Sequence, residues 1–324
     1  MSAADFLRIV EQNRPYLEAN FISGPVLDDE FSWFSVMKNL DVIAGKGALE
    51  SVSLLEFDDH NDVHRLAYGI AINKSMKRIT VFFRGTYAEN TDDWKRNLQF
   101  DRVEVPLPTA LRTTSQFTQQ IHRGFWEYMF RNSRRGPSYP KERYDEIMNN
   151  IVSTCENFPD YELYITGHSL GGSLALLVSF FIAVEDRIPK PITCVSIGSP
   201  PVGDQTFQDA FELAEQRGWI NHLRITNDDD PIPLLPPFPW YKPVGVHLQL
   251  SNRNGFQISH STRLSPMDNG NSFNKLWGAT KKNAASLDSL ARPHYLPEYL
   301  KRVDREKDSL KQQTLKGHYQ DLTF

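Results

Sequence analysis

A serine flanked by glycines, in the run Gly167-His168-Ser169-Leu170-Gly171, joins two apolar stretches of the chain. A serine hydroxyl is a weak nucleophile by itself. It attacks a carbonyl when a histidine takes its proton and a carboxylate orients that histidine. In strand-turn-helix serine sites the acid and then the histidine follow the serine along the chain. Downstream, Asp228, Asp229 and Asp230 stand together, and His247, His260, His294 and His318 follow them as possible bases. Residue types and spacing leave the choice among these open.

The elements around the serine fit that chemistry. Glu162 to Thr166 read as a buried strand and Leu170 to Val184 as an apolar helix, so Ser169 falls on the turn between them. Such a turn strains the serine backbone and lifts its side chain clear of the sheet. It also brings the residues two before and two after too close for a Cβ, which accounts for Gly167 and Gly171. The helix start points its first N–H groups, chiefly that of Leu170, toward the reacting centre, where they can stabilise an oxyanion. The pentapeptide by itself arises by accident in about one chain in ten of this length; its strand-and-helix setting carries the weight.

The rest of the chain must position this turn. Residues 1–50 show helical spacing and read as a helical lead-in. Two β-rich runs around a polar turn at Asn73 to Lys77 read as a hairpin. From Lys141 onward, helices alternate with strands through Thr226, which implies a mostly parallel sheet covered on both faces, an α/β architecture. Six prolines crowd residues 230–243 and read as a shaped loop rather than a polyproline ligand. Residues 303–324 read as a charged, solvated tail, and the whole of 1–324 as a single domain.

Composition narrows the function classes. A net charge of −4, with 40% hydrophobic and 23% charged residues, gives no basic surface for nucleic acid. Two cysteines, Cys155 and Cys194, exclude a disulfide framework and a cysteine zinc site; both read as buried thiols. The longest apolar run, from Leu174, falls short of the ~20 residues that span a bilayer. With no secretory pattern among the first residues, the expectation is a cytoplasmic protein without a transmembrane segment.

Several ordered stretches between about residues 65 and 300 resemble the class 3 lipases, the fungal-type triacylglycerol lipase family of the α/β-hydrolase fold. "VFFRGT" resembles the family's strand into the oxyanion hole and would make Thr86 the partner of Leu170 there. "DDWKRNL" resembles its lid segment, with Asp93, Trp94 and Leu98. "IHRGFWEYM" resembles the Val-His-x-Gly-Phe element, and "ITGHSLGGSLALL" the nucleophile signature, with Gly167, His168 and Gly171 forming the elbow around Ser169. "DDDPIPLLPP" resembles the acid loop and picks Asp230; "RPHYLPEYL" resembles the C-terminal histidine segment and picks His294. One stretch departs from the pattern: "YKPVGVH" has Pro243 and His247 where many members carry a histidine and an acid.

The resemblance implies a Ser169-His294-Asp230 triad that hydrolyses carboxylic esters of lipids through an acyl-enzyme, with no metal and no organic cofactor. Tri-, di- or monoacylglycerols are the implied substrates. Phospholipase A1 or general carboxylesterase action is the alternative, and a non-catalytic lipid- or protein-binding module the rival of another class. His168 and His122 are expected to be structural. Polar residues dominate the lid segment, so contact with a lipid surface is expected to be transient and interfacial activation weak.

Overall fold

The computed structural model describes residues 52–58, 66–85, 101–113, 115–130, 142–235, 240–260 and 292–313. The lead-in expected over residues 1–50, Thr86, the lid residues Asp93, Trp94 and Leu98, His318 and the end of the expected tail lie outside them.

Eight strands form one sheet: β1 (Val52–Asp58), β2 (Tyr68–Asn73), β3 (Arg78–Phe83), β6 (Glu162–His168), β7 (Ile192–Ile197), β8 (Ile220–Asn227), β9 (Val246–Leu250) and β10 (Phe256–His260), side by side in that order. β3, β6, β7, β8 and β9 run parallel, and antiparallel strands close each side. β4 (Arg102–Pro106) and β5 (Thr118–His122) make a separate antiparallel pair. The expected hairpin is β2–β3. Its polar turn is held by Asn73, whose Oδ1 accepts from the Ser75 hydroxyl at 2.8 Å and from the Met76 N–H at 3.0 Å.

The helices are α1 (Arg123–Phe130), α2 (Glu142–Asn157), α3 (Leu170–Ile182), α4 (Gln205–Gln216) and α5 (Leu296–Lys311). Along β7 the side chains alternate between two apolar clusters. Ile192 and Cys194 join the cluster that contains α1 to α4, whereas Val195 and Ile197 join Leu223, Ile225, Leu248 and residues of α5. That alternation is the period of two expected of a strand buried on both faces. In α3 every residue except Phe181 is buried, which explains an apolar composition all round. Its two inner serines are satisfied locally, Ser173 by the Pro200 carbonyl at 2.9 Å and Ser179 by the Ala175 carbonyl at 2.7 Å. Cys155 and Cys194 are buried free thiols, each pushed up to about 12 by desolvation and so protonated.

The C-terminal segment differs from the solvated tail read from its charges. Residues 303–311 are the second half of α5, and Val303 and Leu310 are buried in the same stripe as Tyr299 and Leu300. Charged residues at 301, 304, 305, 307 and 308 line the other side of the helix. The charge count hid an apolar face of helical period, and that face is what fastens α5 to the sheet.

Candidate active site

β6 delivers Ser169 at its C-terminal end, and α3 begins at the next residue. The Ser169 backbone sits at φ 56° and ψ −126°, a conformation that costs a non-glycine residue roughly 1–3 kcal/mol. The surroundings impose it: the Ser169 N–H donates to the Ile197 carbonyl at 2.9 Å, and its own carbonyl accepts from Gly172 at 3.0 Å. A Cβ on Gly167 would collide with the Gly171 backbone, and one on Gly171 with the Phe83 carbonyl oxygen. Both positions therefore exclude side chains, as a tight crossing of strand and helix requires.

The loop that leaves β8 after Asn227 supplies the carboxylate, and a 3-10 turn over Arg292–His294 supplies the imidazole. His294 Nε2 lies 2.9 Å from Ser169 Oγ, and His294 Nδ1 lies 2.8 Å from Asp230 Oδ2. All three side chains are buried. An ionised carboxylate only accepts, so Nδ1 carries the hydrogen and the Nε2 lone pair faces the serine hydroxyl. Asp230 receives two further bonds: the Ile232 N–H donates to Oδ1 at 2.9 Å, and the Tyr299 hydroxyl donates to Oδ2 at 2.6 Å.

Among the described residues, the other candidate acids and the other histidines are engaged elsewhere. Asp228 and Asp229 turn toward Arg302 on α5, with Asp229 Oδ1 2.8 Å from its Nη1. His247 Nε2 is 2.7 Å from the Thr226 hydroxyl, and His260 Nε2 is 3.4 Å from Glu215. His222 is satisfied by the Ser196 hydroxyl and the Val244 carbonyl, and His122 Nδ1 accepts from the Phe125 N–H at 3.4 Å. His168 Nε2 donates to the His294 carbonyl at 2.8 Å. Burial, and then the neighbouring His294, push its pKa down to about 3, so this ring stays neutral and fastens the backbone of the histidine beside it.

Two features bear on an oxyanion. Leu170 opens α3, where an N–H has no intrahelical carbonyl to meet. Gly85 lies across the turn: a Cβ there would stand 3.6 Å from Ser169 Cβ, which puts the chain leading to Thr86 against the serine. Chemically, the arrangement can move a proton from Ser169 to His294 while Asp230 balances the charge. Among the described residues no group of three His, Cys, Asp or Glu side chains is placed to hold a metal ion, and no helix is long and apolar enough to cross a membrane.

Sequence reasoning gave no role to Tyr299 or Arg302. The signals were present, in a second tyrosine five residues after His294 and in two aspartates beyond the one a triad uses.

Residues 80–240 match the family model described as Lipase (class 3). A rice (Oryza sativa subsp. indica) protein named phospholipase A1-II 3 is 28% identical over 197 residues, 58% of this chain and 45% of its own. A Fusarium solani protein named secreted mono- and diacylglycerol lipase 1 is 28% identical over 172 residues, 52% of this chain and 42% of its own. The matches thus span less than half the length of these relatives. The crystal structure of a lipase from Rhizopus microsporus var. chinensis superposes with a TM-score of 0.54 at 18% identity, covering 81% of this chain and 80% of that one. The fold is that of the α/β-hydrolases, and the chain belongs to the class 3 lipase family.

Proposed function

We propose that this protein hydrolyses carboxylic esters of lipids through a Ser169-His294-Asp230 triad. The observation that carries this reading is the buried chain of contacts from Ser169 Oγ through His294 to Asp230, 2.9 and 2.8 Å long, standing at a strained strand-to-helix elbow. In the proposed reaction His294 Nε2 takes the hydroxyl proton as Ser169 Oγ bonds to the ester carbonyl carbon. The resulting oxyanion is met by the Leu170 N–H and by Thr86, whose neighbour Gly85 lies beside the serine. His294 then gives its proton to the leaving alcohol, and water repeats the cycle on the acyl-enzyme. Losing one oxyanion donor would cost about 2.7–4 kcal/mol of transition-state stabilisation.

Mono-, di- and triacylglycerols are the proposed substrates, and the name of the Fusarium relative supports the first two. The name of the rice relative supports a second reading, phospholipase A1 action. Asp93, Trp94 and Leu98 are proposed to cover the site, in one domain spanning the chain, with transient contact at the lipid surface. A sharp rise in rate on emulsified long-chain ester above its solubility limit would overturn that weak-interface reading. For location, the two free, buried cysteines support a reducing, cytoplasmic compartment, whereas the Fusarium relative is named as secreted; fractionation of cells expressing the protein separates the two.

The test is hydrolysis of nitrophenyl esters of short, medium and long acyl chains by the wild type and by Ser169→Ala. Activity that disappears in the variant supports the triad. A folded wild type that is inert with every ester, emulsified lipid included, assigns the chain to the non-catalytic binding class instead.

A further inference from the structure

The acid and the base of the proposed triad come from separate parts of the chain, so something must hold the two parts in register. The turn that carries His294 and α5, which starts two residues after that histidine, contact the segment 227–230 at several points. The Asn227 side chain donates to the Pro293 carbonyl at 2.7 Å, and the Asn227 N–H donates to the Tyr299 hydroxyl at 3.1 Å. One turn further along α5, Arg302 closes the contact. Its guanidinium donates to both oxygens of Asp229, at 2.8 and 3.1 Å, and to Asp228 Oδ1 at 3.3 Å, while its Nε donates to Glu298 Oε1 at 2.9 Å. The Arg302 side chain is 3% exposed whereas the Asp228 and Asp229 carboxylates are 35% and 31% exposed, so the fork is half-buried, with its cation on the inner side.

From this geometry we infer that Arg302 is a positioning residue, a cationic clamp that holds the Asp228-Asp229-Asp230 segment against α5, the helix that follows the His294 turn. The inference rests on the triad reading. It also assigns a role to the two extra aspartates: they are the anchor of the acid loop, and only the third aspartate faces the imidazole. Asp228 is tied on its other side as well, because its Oδ1 accepts from the Asn252 N–H at 2.9 Å.

Charge adds to the mechanical role. The groups around His294 are Asp230, the neutral His168, the Ser169 hydroxyl and the exposed Arg292 of its own turn. Around Arg302 stand Asp228, Asp229 and Glu298. Arg224 is buried beneath the acid loop and donates to the Pro233 carbonyl at 2.8 Å. Only Asp230 meets the imidazole, and Arg302 is the cation that pairs with the two neighbouring carboxylates, Asp228 and Asp229. Without it the unpaired charge of Asp228 and Asp229 favours the imidazolium, and a protonated base cannot accept from Ser169.

Three variants separate fork from charge. Arg302→Gln removes both, and the expected result is a kcat lowered about tenfold with KM unchanged, and an acid limb of kcat/KM moved up by roughly half a pH unit to one unit. Arg302→Lys keeps the charge without the fork, so the limb stays in place while kcat is intermediate. Arg302→Gln with Asp229→Asn moves the limb back toward the wild type. The His294 imidazole is titrated by NMR in the same proteins, a readout independent of turnover. An unmoved His294 titration in Arg302→Gln overturns the clamp's electrostatic role, and an unchanged kcat together with it overturns the inference as a whole. If wild type and Ser169→Ala hydrolyse esters equally, the triad reading fails, whatever the titration shows for the clamp. If Arg302→Gln is too unstable to titrate, Arg302→Lys and Asp229→Asn are compared instead, and a normal kcat in both overturns the clamp.

Discussion

The Tyr299 hydroxyl donates to Asp230 Oδ2 at 2.6 Å, on the same carboxylate oxygen that His294 Nδ1 reaches at 2.8 Å. It also accepts from the Asn227 N–H, so one buried phenol satisfies a backbone donor and fixes the orientation of the carboxylate. Burial and the adjacent Asp230 raise its pKa well above that of an ordinary tyrosine, so it remains a donor at every working pH. Tyr299→Phe keeps the ring and removes both bonds. The expected outcome is a stability loss of about 1–3 kcal/mol from the stranded Asn227 N–H, seen by denaturant unfolding, and a kcat lowered severalfold with little change in KM. A variant as stable and as active as the wild type would show that the hydroxyl does neither job.

The three aspartates make a second test, because one residue of register separates very different surroundings. Asp230→Asn leaves His294 Nδ1 facing an amide and favours the wrong tautomer, with an expected loss in kcat of roughly 10⁴-fold. The Asp229 carboxylate faces Arg302 and Asn252 instead of His294, so for Asp229→Asn a loss of about tenfold or less is expected. Equal losses at the two positions, measured as initial rates on the same ester, would contradict the arrangement around His294.

At the elbow, stability and activity should part company. Ser169→Gly relieves the backbone strain at φ 56° whereas Ser169→Ala keeps it, so the glycine variant is expected to be more stable than the alanine variant by about 1 kcal/mol, both being inactive. Gly171→Ala acts the other way: its Cβ meets the Phe83 carbonyl, and a loss of roughly 1–3 kcal/mol follows from overpacking. Urea midpoints of the three purified variants in one buffer decide both expectations.

Acid should weaken the fold through its buried histidines. Burial holds His168 and His222 down to about 3, and His247 well below the ordinary value. In each case the unfolded state binds a proton near pH 6.5 that the folded state refuses. Their contribution is therefore complete above pH 6.5 and is lost as pH falls from there toward 3. Between pH 7 and 5 His168 and His222 each remove on the order of 2 kcal/mol, and His247 acts in the same direction. Melting temperatures across that window should fall steeply in the wild type and less steeply in His222→Gln, whose amide can still meet Ser196 and Val244. A melting temperature that is flat from pH 7 to 5 would rule this out.

What the sequence determined by itself was local. The β-rich runs of β2 and β3, the buried strand β6, the apolar helix after Ser169, the polar turn at Asn73 and the paired glycines of the elbow all express contacts between residues close along the chain, where spacing and side-chain type are sufficient. The residues alone left three aspartates and four histidines standing, and only resemblance to a family singled out Asp230 and His294. Tertiary structure decided what lies beyond that reach. The contact between His294 and Ser169 spans 125 residues, and the bond between Tyr299 and Asp230 spans 69. Such pairings depend on how strands register and on where α5 packs, and charges on the open side of that helix concealed the stripe that packs it. Which aspartate meets an imidazole and which ones meet Arg302 is settled by which side chains the β8 exit turns toward α5, a three-dimensional fact that no spacing in the run Asp228-Asp229-Asp230 encodes.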